Sequence, residues 1–436
     1  MSQTSYLVAL TIVALGAAAF AIAFRTLLSA AFEAGFGASD VVAAFERLPG
    51  WLRVVLPCVG GLLAGCVALV GRRAASGVGD VMEAVVFGRA HLSTSTTLLK
   101  SLGCWLAIVF GGSLGREGPL IQFGGSFGFT AGRWFHLEPR RVRTLIAAGT
   151  AAGFSAAYNT PLAAILFVVE VIIGVVALDA VLSVIVATAI ATGVTRAVVG
   201  GGPIYGARSF ALTRPEELIL YASLGVVAAL AAHGFMRLLS TGENLFDRLR
   251  IHQPWRAALG GLVVGLVALN LPQVTGNGYE PLNAMLDGAM PLTLVIALLV
   301  AKPVATTASV SSGSPGGVFT PTLFLGAAVG ICFSRALAGL GVVELGGPGA
   351  YALVGMAATT AATSHAPIMA AVLVFELSGD YLIVLPLLIS TAIATVVSRV
   401  LGADSIYRSE LRRRGLVWEE TLDGRKMLKE RATKGA

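Results

Sequence analysis

The chain has 436 residues; 56% are hydrophobic, only 13% are charged, and its mean hydropathy is +0.82. Soluble globular proteins are about 25% charged, so this composition excludes a soluble domain and points to a membrane protein with several spans. The net charge of +7 raises a nucleic-acid partner, but the basic residues sit in short connectors, as the positive-inside bias of cytoplasmic loops requires, and no nucleic acid is expected.

The first span is "SYLVALTIVALGAAAFAIAF", Ser5 to Phe24, twenty residues without a charge. A signal peptide would need a basic segment before it and a cleavage site after it, and neither is clear. The basic connectors follow in order: "GRR" at 71–73, "RRVR" at 140–143, a stretch ending at Arg250, and "RSELRRRG" ending at Gly415. The four cysteines (Cys58, Cys66, Cys104, Cys332) lie in apolar runs without metal or disulfide spacing. The five histidines form no HExxH pattern, so no metal and no cofactor is expected. Several apolar runs, among them "WLAIVF" before Gly111 and "LTLVIALLV" before Lys302, are too short to cross a bilayer alone. Gly/Pro-interrupted short segments of this kind predict broken helices that meet inside the membrane.

The chain also repeats itself. "GFSAAYNTPLAAILFVVEV" (153–171) matches "TTAATSHAPIMAAVLVFEL" (359–377), with Pro161 over Pro367 and Glu170 over Glu376, both 206 residues apart. "KSLGCWLAIVFGGSLGREGP" (100–119) lies over "KPVATTASVSSGSPGGVFTP" (302–321), with Lys100 over Lys302 and Pro119 over Pro321, both 202 apart. "TAIATGVTRAVVGGGPIY", ending at Tyr205, matches "TAIATVVSRVLGADSIY", ending at Tyr407. Three blocks in one order at nearly one offset make a duplication of roughly 200 residues. We read one transmembrane unit over 1–436, with repeat 1 over about 50–210, repeat 2 over about 250–410, and a charged cytoplasmic tail at 411–436. The sequence does not say whether the repeats run parallel or inverted.

Three stretches share a design: "ASGVGDVMEAV" (75–85), "GREGPLIQFGG" (115–125) and "GGVFTPTLFLG" (316–326). In each, glycines and a polar or proline residue precede a helical apolar run. Pro119 and Pro321 suit a first helical position, and Ser76 and Asp80 suit a helix start. Such starts present unpaired amides and the positive end of the helix dipole, which attract anions without a full positive charge. Glu117 falls inside the second start. A buried acid costs roughly 2.5–3.5 kcal/mol in a membrane even on the lenient scale. Its carboxylate can itself occupy an anion site, leaving when protonated or displaced, so Glu117 reads as a gate. Glu170 and Glu376 sit at equivalent positions and read as structural, for example capping buried backbone. Lys100 and Lys302 read either as structural or as a source of positive potential. Tyr407 offers a neutral hydroxyl that can face an anion or an interfacial belt.

On these residues the chain resembles the CLC family of chloride channels and chloride/proton antiporters, over about residues 50 to 415. "GREGP" (115–119) matches a family motif completely, "GGVFTP" (316–321) matches GxFxP, and "ASGVGD" is a looser match to GSGIP, with Ala75 for the first glycine and Gly79 for the proline. The resemblance implies an all-α integral membrane fold of two inverted-topology repeats whose short helices meet mid-membrane. It implies a homodimer with a pore in each subunit, in the cell membrane, bacterial inner membrane included, and chloride as the transported ligand rather than a substrate of catalysis. It implies anion binding by the hydroxyls of Ser76 and Tyr407, by the amides of Val318 and Phe319, and by the amides from Arg116 to Gly118, with Glu117 as the gating glutamate. Serine at 76 resembles the chloride-preferring members. Antiporters of the family usually carry a second glutamate after Glu170; this chain has Val171, as the channels do, so a channel-like protein is expected, with an antiporter using another proton route as the alternative. No CBS domain is read after Arg414. An intramembrane enzyme would need a nucleophile–base pair or metal ligands within the spans, and isolated histidines such as His365 do not make such a set.

Overall fold

A computed structural model describes residues 3–70, 77–88, 92–174, 178–206, 214–342, 347–413, 415–421 and 424–428. The apolar runs become helices. The first half holds α1 (Gln3–Phe36), α2 (Val41–Arg47), α3 (Gly50–Val70), α4 (Val78–Met82), α5 (Thr94–Val109), α6 (Glu117–Trp134), α7 (Pro139–Tyr158), α8 (Pro161–Leu166) and α9 (Leu178–Val199). The second holds α10 (Glu217–Arg248), α11 (Gln253–Ala268), α12 (Tyr279–Leu286), α13 (Leu292–Ser311), α14 (Phe319–Gly339), α15 (Pro348–Ser364), α16 (Pro367–Ser378), α17 (Val384–Val400) and α18 (Ile406–Arg413). Among the described residues, six helical segments are long and apolar enough to cross a membrane. At 34 residues α1 is about 50 Å long, more than a bilayer core is thick, so it must tilt or protrude. It is part of the packed core, burying Val13, Ala14, Ala17 and Ala18.

Glycine sets how closely these helices approach. A Cβ on Gly124 of α6 would strike the carbonyl of Gly149 of α7, and one on Gly149 would strike the carbonyl of Gly124. Gly326 of α14 and Gly355 of α15 stand in the same reciprocal contact. The duplication seen in sequence thus recurs as a duplicated helix crossing, of the small-residue kind that membrane helices use.

The orientation of the repeats follows from two carboxylates. α8 continues into a widened π-helical turn, Phe167–Ile173, that carries Glu170. The Glu170 carboxylate accepts from the amides of Ile368 (3.4 Å) and Met369 (2.6 Å) at the start of α16. In exchange, Glu376 near the end of α16 accepts from Leu162 (3.1 Å) and Ala163 (2.8 Å) at the start of α8. Each helix caps the other's beginning from its own far end, so the two equivalent helices lie antiparallel. Equivalent helices that point opposite ways mean that the repeats are inverted. The capping role expected for both glutamates is the one observed.

Two local differences from the sequence reading stand out. Pro119 and Pro321 are the third residues of α6 and α14, not the first. The first four amides of a helix have no intrahelical partner, so proline is tolerated there equally well. The tail is also not purely helical: Val417–Thr421 pairs antiparallel with Gly424–Leu428.

Candidate functional site

The two glycine loops meet. After α5 the chain turns through Gly111 at φ 88°, and after α13 through Gly313 at φ 91°, a conformation glycine adopts without strain. Gly115 and Gly317 then form a two-way backbone bridge, with N–H···O distances of 2.7 and 2.8 Å. That bridge sets the starts of α6 and α14 side by side.

Glu117 is the first residue of α6 and only 2% exposed. Its carboxylate reaches across the bridge to the start of α14. Oε1 accepts from the Thr320 amide at 3.0 Å, and Oε2 accepts from the Thr320 hydroxyl at 3.0 Å. The space it fills exists because residues 115 and 317 are glycines: a Cβ on either would collide with the carboxyl. An acid therefore lies on the free amides of a helix start, the place where an anion would be held.

A wall of aromatic rings leads away from this point. Tyr158 and Phe154, both on α7, each lie 5.7 Å, centroid to centroid, from Phe319. Phe154 stacks on Phe167 at 4.8 Å, and Phe167 meets Tyr407 of α18 edge-on at 5.9 Å. Beyond Tyr407 opens a cavity of about 260 Å³ whose lining includes Glu170, Val171, His365, Arg399 and Arg408.

The family model for the voltage gated chloride channel matches residues 59–399. The chain belongs to that family. It is 36% identical over 379 residues to "Putative chloride channel protein ClcB-like" of Ralstonia nicotianae, covering 86% of this chain and 88% of the relative. It is 36% identical over 379 residues to "Voltage-gated ClC-type chloride channel ClcB" of Salmonella typhimurium, covering 85% and 89%. Among solved structures, a slow cyanobacterial Cl-/H+ antiporter superposes with a TM-score of 0.83 at 26% identity, over 95% of this chain and 99% of that one. A CLC-type fluoride/proton antiporter superposes with a TM-score of 0.75 at 23% identity, over 93% and 98%, a likeness of fold.

Within this CLC frame the residues singled out in the sequence divide into three groups. Glu117 lies on the α14 start that Val318 and Phe319 open, Phe154 and Phe167 link Phe319 to Tyr407, and Arg116 and Gly118 flank Glu117 at the α6 start. Ser76 and Ala75 lie outside the described residues. Val171 is buried and lines the cavity, and Glu170 beside it lines it too. Lys302 takes the structural option: fully buried, it donates to the carbonyls of Val274 (2.9 Å) and Gly276 (2.8 Å). Lys100 is only half-buried.

Other residues at the site had no sequence signal. Thr320 and Tyr158 are ordinary at their positions, and only the fold joins them to Glu117. Glu410 of α18 lies against the start of α4, where a Cβ on Gly79 would come within 2.9 Å of its carboxylate. His365, at φ 57°, bonds through Nε2 to the Ser398 hydroxyl at 3.2 Å. That hydroxyl gives its own proton to the Ala362 carbonyl, so Nε2 is the donor. His365 is thus tied into α17, which its sequence context did not reveal.

Proposed function

We infer that the protein passes chloride through a CLC-type pathway closed by the Glu117 side chain, and that it works as a channel. The observation that carries this reading is the Glu117 carboxylate lying on the α14 start, bonded to the Thr320 amide. An ionised acid there is a built-in competitor for chloride. Like charges cannot share the site unless one is neutralised or displaced, so acid or high chloride opens the path. In this reading the amides of Arg116 to Gly118 make an outer anion position. The amides of Val318 and Phe319 make a central one, together with the hydroxyls of Tyr407 and Ser76. The cavity beside Tyr407 is the cytoplasmic mouth, in line with the basic connectors. The names of the ClcB relatives, which speak of chloride channels, support the substrate. We place the protein in a bacterial inner membrane as a homodimer, as the family resemblance implies.

An antiporter is the second reading, favoured by the solved cyanobacterial Cl-/H+ antiporter of the same fold. Against it stands Val171 at the cavity wall. The gate is tested with Glu117→Gln, which keeps shape and removes charge. Chloride flux into liposomes should rise at neutral pH and its pH dependence should flatten; an unchanged pH profile would reject Glu117 as the gate.

A further inference from the structure

The geometry points to a hydroxyl latch on the gate: Thr320, backed by Tyr158, holds the Glu117 carboxylate closed and sets the pH at which it opens. This rests on the reading of Glu117 as the gate and adds two positioning residues to it.

Three groups on three helices form one chain. The Thr320 hydroxyl donates to Glu117 Oε2 at 3.0 Å, and Tyr158 Oη lies 2.9 Å from Thr320 Oγ1. A carboxylate only accepts, and a hydroxyl has one proton to give. The Thr320 proton is therefore committed to Glu117, and the Tyr158–Thr320 contact has one sense: Tyr158 donates. The direction of the whole chain is fixed by the charge at its end. All three side chains are buried, with Glu117 2%, Thr320 3% and Tyr158 6% exposed. In such a setting hydrogen bonds in series polarise one another, and a bond to an ionised oxygen is roughly twice as strong as one to a neutral oxygen.

The latch therefore discriminates between the two states of Glu117. It grips the carboxylate with two bonds from a single residue, the amide on Oε1 and the hydroxyl on Oε2. Protonation weakens both, because a neutral carboxyl is the poorer acceptor, and the side chain is released. The amide belongs to any residue at position 320, but the hydroxyl does not. Its removal leaves the carboxylate less stabilised in the closed position, so Glu117 takes a proton more readily. The gate then opens at higher pH.

Other titratable groups surround Glu117. Cys104 faces it from α5, Tyr205 from the segment after α9 and Tyr407 from α18, with Arg116 beside it in the chain. Free cysteine and tyrosine titrate in the alkaline range and arginine does not titrate, so none of these neighbours supplies an acid limb of activation. Glu170, His365 and Glu410 stand at the cavity end of the aromatic wall. Their titration would survive in a Glu117→Gln background, where it can be measured separately.

The test is chloride flux against pH in liposomes holding the full chain. Five variants are compared with the parent: Thr320→Val, Thr320→Ser, Tyr158→Phe, Glu117→Gln and the double Glu117→Gln/Thr320→Val. Thr320→Val keeps the shape and the amide but loses the hydroxyl, and should move the acid-activation midpoint up by about one pH unit, a tenfold change in proton concentration. Tyr158→Phe should move it the same way by less. Thr320→Ser restores the hydroxyl and should return the midpoint to the parent value. In the Glu117→Gln background, adding Thr320→Val should change nothing. A parental midpoint in both Thr320→Val and Tyr158→Phe, while Glu117→Gln flattens the profile, would overturn the latch and leave the gate standing. A parental profile in Glu117→Gln would remove gate and latch together. Should Thr320→Val fail to fold, Tyr158→Phe carries the same decision, because it removes one buried oxygen and keeps the ring that packs on Phe154 and Phe319.

Discussion

At the scale of single residues, packing decides where a polar group points. Tyr407 is held edge-on against Phe167 and opens onto the cavity with its ring buried. A hydroxyl fixed in this way is a pre-aimed neutral donor, which binds an anion without holding it as a cation would. Tyr407→Phe keeps the ring contact and removes the donor. A neutral hydrogen bond contributes roughly 0.5–1.5 kcal/mol, so chloride affinity should fall about two- to thirteenfold in calorimetric titration of the purified protein. Unchanged affinity would take Tyr407 out of the anion path. Glu117 could be found in the sequence because an acid among glycines in an apolar run is conspicuous. Thr320 and Tyr158 could not: a threonine near a helix start and a tyrosine near a helix end are unremarkable, and their contact spans 162 residues of chain. Glu410 was hidden for the same reason, sitting in a basic segment whose neighbours are set only when α18 folds back on α4.

At the scale of elements, the exchange of caps between α8 and α16 is the structural centre of the duplication. Each start has two amides without helical partners, and each receives a carboxylate from the other helix. Glu376→Ala would leave the Leu162 and Ala163 amides unpaired and should cost about 1–3 kcal/mol. Glu170→Ala should cost a similar amount, since the geometry is the same in the other direction. Each should lower the apparent melting temperature in detergent by about 1–4 °C while chloride selectivity holds. A variant as stable as the parent would show that its cap is idle. The match of Glu170 to Glu376 was plain in the sequence and so was a shared role. The antiparallel arrangement was not, because equal spacing in two repeats is blind to their relative direction. The same limit hid the reciprocal glycines of α6–α7 and α14–α15, which are lost among the 53 glycines of the chain.

At the scale of the whole molecule, the question is whether chloride moves alone or with protons. A coupled exchanger needs protonatable groups linking Glu117 to the cytoplasm. The cavity brings water-accessible space up to Tyr407, but the wall from there to Glu117 is built of Phe167, Phe154 and Phe319, none of which carries a proton. Glu170 does face the cavity, yet its carboxylate accepts from two amides of α16, and taking up a proton would weaken the cap it provides. Val171, next to it, has nothing to titrate. The expected behaviour is therefore uncoupled chloride flow. In bilayers with a chloride gradient, the reversal potential should follow the chloride Nernst potential, and it should hold still when a pH gradient is added. In liposomes, a chloride gradient should drive no uphill proton movement. A steady shift of the reversal potential with pH would mean that protons cross the aromatic wall, by water or by the Tyr158 hydroxyl, and would establish the antiporter. Cys104 and the tyrosines do not alter this expectation, because none of them connects the cavity to Glu117 through a carboxyl or imidazole.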